Sequence, residues 1–101
     1  MTTNIYENEG GLVAALIGDL DTAACAQAER DLAPLFERDD CDIVVDCAEL
    51  DYISSSGLRI LLNIYKHVRK NGHRAFLRQP ADDVEEVLRI GGFLQLFEKE
   101  E

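Results

Sequence analysis

The 101-residue chain has no tryptophan, two prolines, three cysteines and two histidines, and ten basic residues against twenty acidic ones. Each scarcity excludes something. Cys25, Cys41 and Cys47 are odd in number and form no Cys-x-x-Cys pair, so neither a disulfide framework nor a zinc site is expected. They read as reduced, buried thiols. The formal net charge of −10 makes the chain a poor general ligand for nucleic acid or an anionic membrane, since both need clustered Lys and Arg. The longest clean apolar run is Leu12–Ile17, far short of the ~20 residues of a spanning helix. No basic-then-apolar leader opens the sequence, and a cytoplasmic location is expected.

Catalytic signals are also sparse. There is no phosphate-cradling glycine loop. His67 and His73 neighbour no serine or cysteine in sequence, and each reads as a solvated surface histidine. Asp39-Asp40 reads as a solvated turn rather than a metal site. The chain is therefore not expected to be an enzyme, nor to need a metal or cofactor.

What is present is the composition of one small globular domain, residues 1–101, with 47% hydrophobic residues. Its charge is uneven. Residues 1–58 hold thirteen acids and two bases, whereas 59–101 hold seven acids and eight bases. Six bases and no acid fall between Tyr52 and Ala81. Such asymmetry suits a protein partner that reads charge.

The elements alternate. Ile5–Asn8 and Leu12–Ile17 read as strands joined by a Glu9-Gly10-Gly11 turn. Gly18–Thr22 should break the second strand, with Asp21 or Thr22 capping a helix. Ala24, Ala28, Leu32, Leu35 and Phe36 make the core stripe of that helix, and Pro34 predicts an irregular last turn. Cys41–Cys47 reads as a strand buried on both faces. The clearest helix runs from about Ser55 to Lys70, with Leu58, Leu61, Leu62, Tyr65 and Val68 inward and a stop at Asn71-Gly72. Arg74–Arg78 is a strand candidate. Ala81–Ile90 is a helix with Val84, Val87 and Leu88 inward and acids in its first turns. Phe93–Phe97 is a short apolar segment followed by an acidic tail. The β-β-α-β-α-β-α order predicts an α/β domain, with a mixed sheet opened by an antiparallel hairpin.

One segment breaks local rules. Serine before a helix is ordinary capping, which accounts for one of Ser54, Ser55 and Ser56. Gly57 in the first turn costs about 0.5–1 kcal/mol relative to alanine. Arg59 stands near the positive end of the helix dipole, a cost of roughly 0.3–1 kcal/mol. Violations of this kind mark functional sites. Glycine would let a partner backbone come close, and a serine at a helix N-terminus is a phosphorylatable group beside N–H donors.

Here the chain resembles the STAS domain of bacterial anti-sigma factor antagonists. The family signature runs Asp-x-x-x-Leu-x-Tyr/Phe-Ile/Met-Asp-Ser-Ser/Thr-Gly-Leu, and this chain has Asp46-Cys47-Ala48-Glu49-Leu50-Asp51-Tyr52-Ile53-Ser54-Ser55-Ser56-Gly57-Leu58. Gly18-Asp19-Leu20-Asp21 resembles the family's Gly-Glu-Leu-Asp, and Leu88–Phe97 its last shared stretch. The resemblance implies a binding module for an anti-sigma factor that is also a serine kinase. Binding frees a sigma factor, phosphorylation separates the complex, and a serine phosphatase resets it. It puts the phosphoacceptor at Ser55, an acidic neighbour at Asp21, and the partner surface at Ser56 and Gly57. With Ser54 and Arg59, which flank them, these residues and Asp21 are the expected partner-binding set. Ser54 stands where the family usually has Asp. That departure keeps open a second reading, a STAS subunit of a lipid-transport ATP-binding complex or a signalling scaffold.

Overall fold

A computed structural model describes residues 1–100. It contains strands β1 (Thr2–Asn8), β2 (Gly11–Leu20), β3 (Asp42–Ile53), β4 (Ala75–Arg78) and β5 (Glu98–Glu100). The helices are α1 (Cys25–Leu32), α2 (Ser55–Lys70), α3 (Asp82–Ile90) and the single turn α4 (Phe93–Leu96). The strands lie in one sheet in chain order, with β1 antiparallel and the rest parallel. The expected α/β class, mixed sheet and opening hairpin are all present.

The hairpin turns on Glu9 (φ 37°) and Gly10 (φ 86°). Two positive φ values in a two-residue loop match the twist of the flanking strands, and glycine at the second reaches that region without cost. Each later connection crosses over a parallel neighbour, and the strand order never reverses. Right-handed crossovers therefore place all the helices on one face. That face carries the core: Leu12, Ala14 and Leu16 of β2, Ile43, Val45 and Cys47 of β3, and Ala75 and Leu77 of β4. Leu32, Leu61, Ile64 and Leu88 close it from the helices, each at most 1% exposed. Burying a side chain of this size contributes about 1.5–3 kcal/mol.

The structure corrects several sequence expectations. Strand β2 does not break at Gly18 but continues to Leu20, and β3 runs on through the expected loop to Ile53. Strand β3 is not buried on both faces. Asp42, Val44 and Asp46 alternate with Ile43, Val45 and Cys47 and are only half-covered, because helices cover one face alone. Phe36 leaves the core stripe and is 40% exposed. Pro34 converts the segment Ala33–Glu37 to a 3-10 turn, whose tighter winding breaks the 3.6-residue stripe. In α2 the buried stripe is Gly57, Ile60, Leu61, Ile64 and Val68, while Leu58, Leu62 and Tyr65 are half-buried. The acidic tail forms an unanticipated strand, β5. Arg74 pairs with Glu98 and Arg78 with Glu100 across that edge. The Arg74 guanidinium holds the Glu98 carboxyl below its ordinary value.

The three cysteines are free and buried, as expected. Burial, with a smaller contribution from the Asp46 charge, pushes the Cys47 thiol up to about 12 from its ordinary 9.0. Cys47 will therefore resist alkylation in the native protein at pH 8, as mass spectrometry of iodoacetamide-treated protein will read. The linkage has a definite sign. The folded state holds the thiol proton more tightly than the unfolded state does. The resulting stability is intact below pH 9 and is lost between pH 9 and about 12, at up to about 1.4 kcal/mol per pH unit.

Candidate functional site

The conspicuous segment lies where β2 and β3 end together. Leu20 and Ile53 are register partners, and the Ser54 N–H donates to the Leu20 carbonyl at 2.9 Å. Asp21 follows Leu20 and Ser55 follows Ser54, so each stands one residue beyond that hydrogen bond. The fold thus brings together two residues that are 34 positions apart in the sequence.

The three serines occupy three environments. Ser54 is the N-cap of α2, with extended backbone (φ −88°, ψ 172°), and its Oγ accepts the Gly57 N–H at 3.1 Å. It is 8% exposed. Ser55 is the first residue of α2 and is exposed, whereas Ser56 is half-buried. Of the three hydroxyls, Ser55 offers the reachable one without a structural duty. Ser54 caps as an aspartate there would, so the helix start survives the departure from the family pattern.

Gly57 is buried, and the reason for glycine is internal. A Cβ at this position would stand 2.8 Å from Ile53 Cγ1 and 2.9 Å from Leu20 Cγ. The missing side chain lets α2 sit down on the ends of β2 and β3. Sequence reasoning placed both Ser54 and Gly57 in partner contact, but both are buried: Ser54 caps α2, and Gly57 lets α2 seat on the strand ends and so positions Ser55.

Asp21 is exposed, and its Oδ1 accepts the Ala24 N–H at 2.9 Å. This bond holds the turn before α1, but neither Asp21 nor Thr22 caps the helix as the sequence suggested: α1 starts at Cys25, and its N-cap, Ala24, has no side-chain cap bond. Cys25 Sγ donates to the Asp21 carbonyl at 3.2 Å. Arg59 is exposed, four residues beyond Ser55 and so on the same face of the helix. No acid occupies the first turn of α2, while His67, Arg69 and Lys70 crowd its last. The positive end of the dipole is thus uncompensated beside Ser55, a setting that favours an added negative charge.

One exposed residue beside the site carried no role in the sequence reading. Tyr52 is 52% exposed and pairs in register with exposed Asp19. The β2–β3 register slips between Gly18/Leu50 and Asp19/Tyr52, leaving Asp51 as an extra residue on β3. Such a bulge re-aims the side chains that follow it. The three-residue spacing of buried Leu50 and Ile53 is its trace in the sequence.

Both histidines and Arg38 are engaged away from this site. His67 is half-buried, against the expectation of a solvated residue. Its Nε2 lies 2.7 Å from the Arg38 carbonyl, and its ring meets Phe36 edge-on. His73 Nδ1 is 3.4 Å from Asp42. Arg38 draws Asp40 into a 2.9 Å pair and lowers its carboxyl from the ordinary value. Among the described residues, no three of His, Cys, Asp and Glu converge as metal ligands would. No helix is long and apolar enough to cross a membrane.

Comparison with known proteins decides the family. The STAS domain profile matches residues 2–101. The chain belongs to the STAS domain family. BtrV of Bordetella bronchiseptica, a proposed anti-sigma factor antagonist, is 37% identical over 89 residues, which cover 88% of this chain and 77% of BtrV. The anti-sigma factor antagonist SpoIIAA in its unphosphorylated form has the same fold, with a TM-score of 0.81 at 20% identity over 99% of this chain and 89% of that one. The phosphorylated form of SpoIIAA from Bacillus superposes with a TM-score of 0.73 at 18% identity, over 99% of this chain and 92% of that one.

Proposed function

We propose that this STAS domain is an anti-sigma factor antagonist, a protein-binding module switched by phosphorylation of Ser55. The observation that carries the reading is the division of labour among the serines. Ser54 is buried and bonded to Gly57, Ser56 is half-buried, and Ser55 stands exposed beside Asp21. Resemblance to BtrV and to SpoIIAA supports the partner class. The unmodified domain binds an anti-sigma factor with serine kinase activity through Ser55, Asp21, Ser56, Arg59 and Tyr52, and a sigma factor is released. The kinase then transfers the γ-phosphoryl group of ATP to Ser55 Oγ, leaving ADP, and the complex separates. A serine phosphatase restores the hydroxyl. The domain acts by binding rather than by catalysis, in the cytoplasm.

Ser54 in place of the family's aspartate favours a second reading, a permanently assembled STAS subunit of a transport complex or scaffold. One experiment separates the two. The protein is incubated with ATP and each anti-sigma serine kinase of its source organism, and phosphopeptides are mapped. A single phosphate on Ser55, absent from Ser55→Ala, is expected. No modification by any kinase, together with co-purification of a transport ATPase, would overturn the switch.

A further inference from the structure

The two edges of the sheet are built differently. Strand β5 is three residues long, and each of them, Glu98, Lys99 and Glu100, is charged. Short, charged edges of this sort resist pairing with another chain. Strand β1 is guarded by a single charge, Glu7. It spans seven residues, Thr2–Asn8, without Lys, Arg or Pro, and its register with β2 is unbroken from Thr2/Ile17 to Asn8/Gly11. Its far side pairs with no strand among the described residues. About 23 Å of strand edge, at ~3.3 Å per residue, therefore presents backbone N–H and C=O groups outward.

Only an extended segment satisfies such an edge, and β1 itself fits. Antiparallel self-pairing centred on Ile5 uses all seven residues. Ile5 then faces Ile5 of the second copy, Thr3 faces Glu7, Asn4 faces Tyr6 and Thr2 faces Asn8. No like charges stand opposite one another. On the core side, the face Ile5 shares with Ala14 of β2, the central pair is apolar. The charge map agrees. Residues 1–18 hold two acids, Glu7 and Glu9, in a chain of net charge −10, so two copies meet where acid is sparse. Glu7 is free to adjust, since its 3.5 Å pair with Arg38 is exposed.

We infer that the β1 edge is a self-association surface through which two copies of this chain join their sheets antiparallel. Ser55, Asp21 and Arg59 lie off this edge, and the dimer presents two copies of the proposed switch site. The rest of the acidic surface opposes association through long-range repulsion, which salt screens. Dimerisation therefore tightens as salt is added, the opposite of an interface made by charge attraction.

Sedimentation velocity from micromolar to near-millimolar protein, at low and high salt, tests this. A reversible dimer that strengthens with salt is expected. Thr3→Glu sets like charges against Glu7 at two symmetric places and weakens the dimer several-fold, whereas Thr3→Lys strengthens it several-fold. Hydrogen exchange of the wild type supplies a readout independent of variant folding. Protection of the Thr2–Asn8 amides should rise with concentration while that of the Ser54–Arg59 amides does not. A monomer throughout the range, a dimer indifferent to both Thr3 charges, or concentration-dependent protection confined to other strands or helices would overturn the inference.

Discussion

Gly57→Ala will lower the stability of the domain although it replaces a poor helix former with the best one. On an open helix the change would stabilise by about 0.8–1 kcal/mol. Here the new methyl meets Ile53 Cγ1 at 2.8 Å, Leu20 Cγ at 2.9 Å and Leu20 Cδ2 at 3.0 Å. Leu20 is wholly buried and Ile53 is 3% exposed, so neither can swing into solvent. Overpacking of this kind costs typically 1–3 kcal/mol, which outweighs the propensity gain. Urea denaturation should show a net loss of up to about 2 kcal/mol, and a domain of this size should melt lower by roughly 4–8 °C for each kcal/mol lost. A variant as stable as wild type would mean that the ends of β2 and β3 yield easily. Gly57 would then have no structural reason to be glycine, and the partner-contact reading would return. Because α2 must lift to relieve the clash, Ser55 moves with it, and partner affinity should fall even in the folded fraction.

This glycine illustrates how the sequence and the structure divide the information. That Gly57 violates helix preference is visible in the sequence; what fills the vacated space is not, since Leu20 and Ile53 arrive from two different strands. Helix α2 presents a related ambiguity. It has apolar residues at 58, 60, 61, 62, 64, 65 and 68, and two overlapping stripes satisfy the helical period. The stripe at 57, 60, 61, 64 and 68 is the one buried, and only packing against the sheet selects it. Strand β3 was legible as far as Cys47, where alternation is regular. Beyond that point two register slips, near Ala15/Ile17 and Gly18/Asp19 of β2, hide the period of two, and the strand reads as loop. Strand β5 has no local signal at all. Glu-Lys-Glu is a poor strand sequence, and its pairing depends on Arg74 and Arg78, more than twenty residues away. By contrast, the helix start at Ser54–Leu58 was legible because capping is local chemistry. Asp21 is the exception: it reads as a helix cap, yet it only closes a turn to Ala24, and α1 starts at Cys25 with no side-chain cap bond.

Ser55→Asp should separate folding from binding, moving the two in opposite directions. At the first position of α2 a carboxylate meets an uncompensated dipole, with no other acid in that turn. Such a charge stabilises a helix by about 0.3–1 kcal/mol. The melting temperature should therefore hold or rise slightly. Binding to an anti-sigma kinase should fall, because the proposed interface was closed over a neutral hydroxyl. A charge buried there without a partner, or facing a like charge, costs several kcal/mol. At ~1.4 kcal/mol per factor of ten, the loss is about a hundredfold or more, readable by calorimetry or surface plasmon resonance. Ser55→Ala should bind as wild type but accept no phosphate. Ser54→Asp, which restores the family's residue, should leave the helix start intact, since Asp and Ser cap comparably. It adds its charge one residue earlier, at a position that is 8% exposed in the free domain. Its effect on affinity should accordingly be the smaller of the two. High salt should recover part of the Ser55→Asp loss if like-charge repulsion dominates, and none of it if desolvation does. Equal affinities for Ser55→Asp and wild type, with both folded, would remove Ser55 from the interface and leave the capping role of Ser54 as the reason for the serine run.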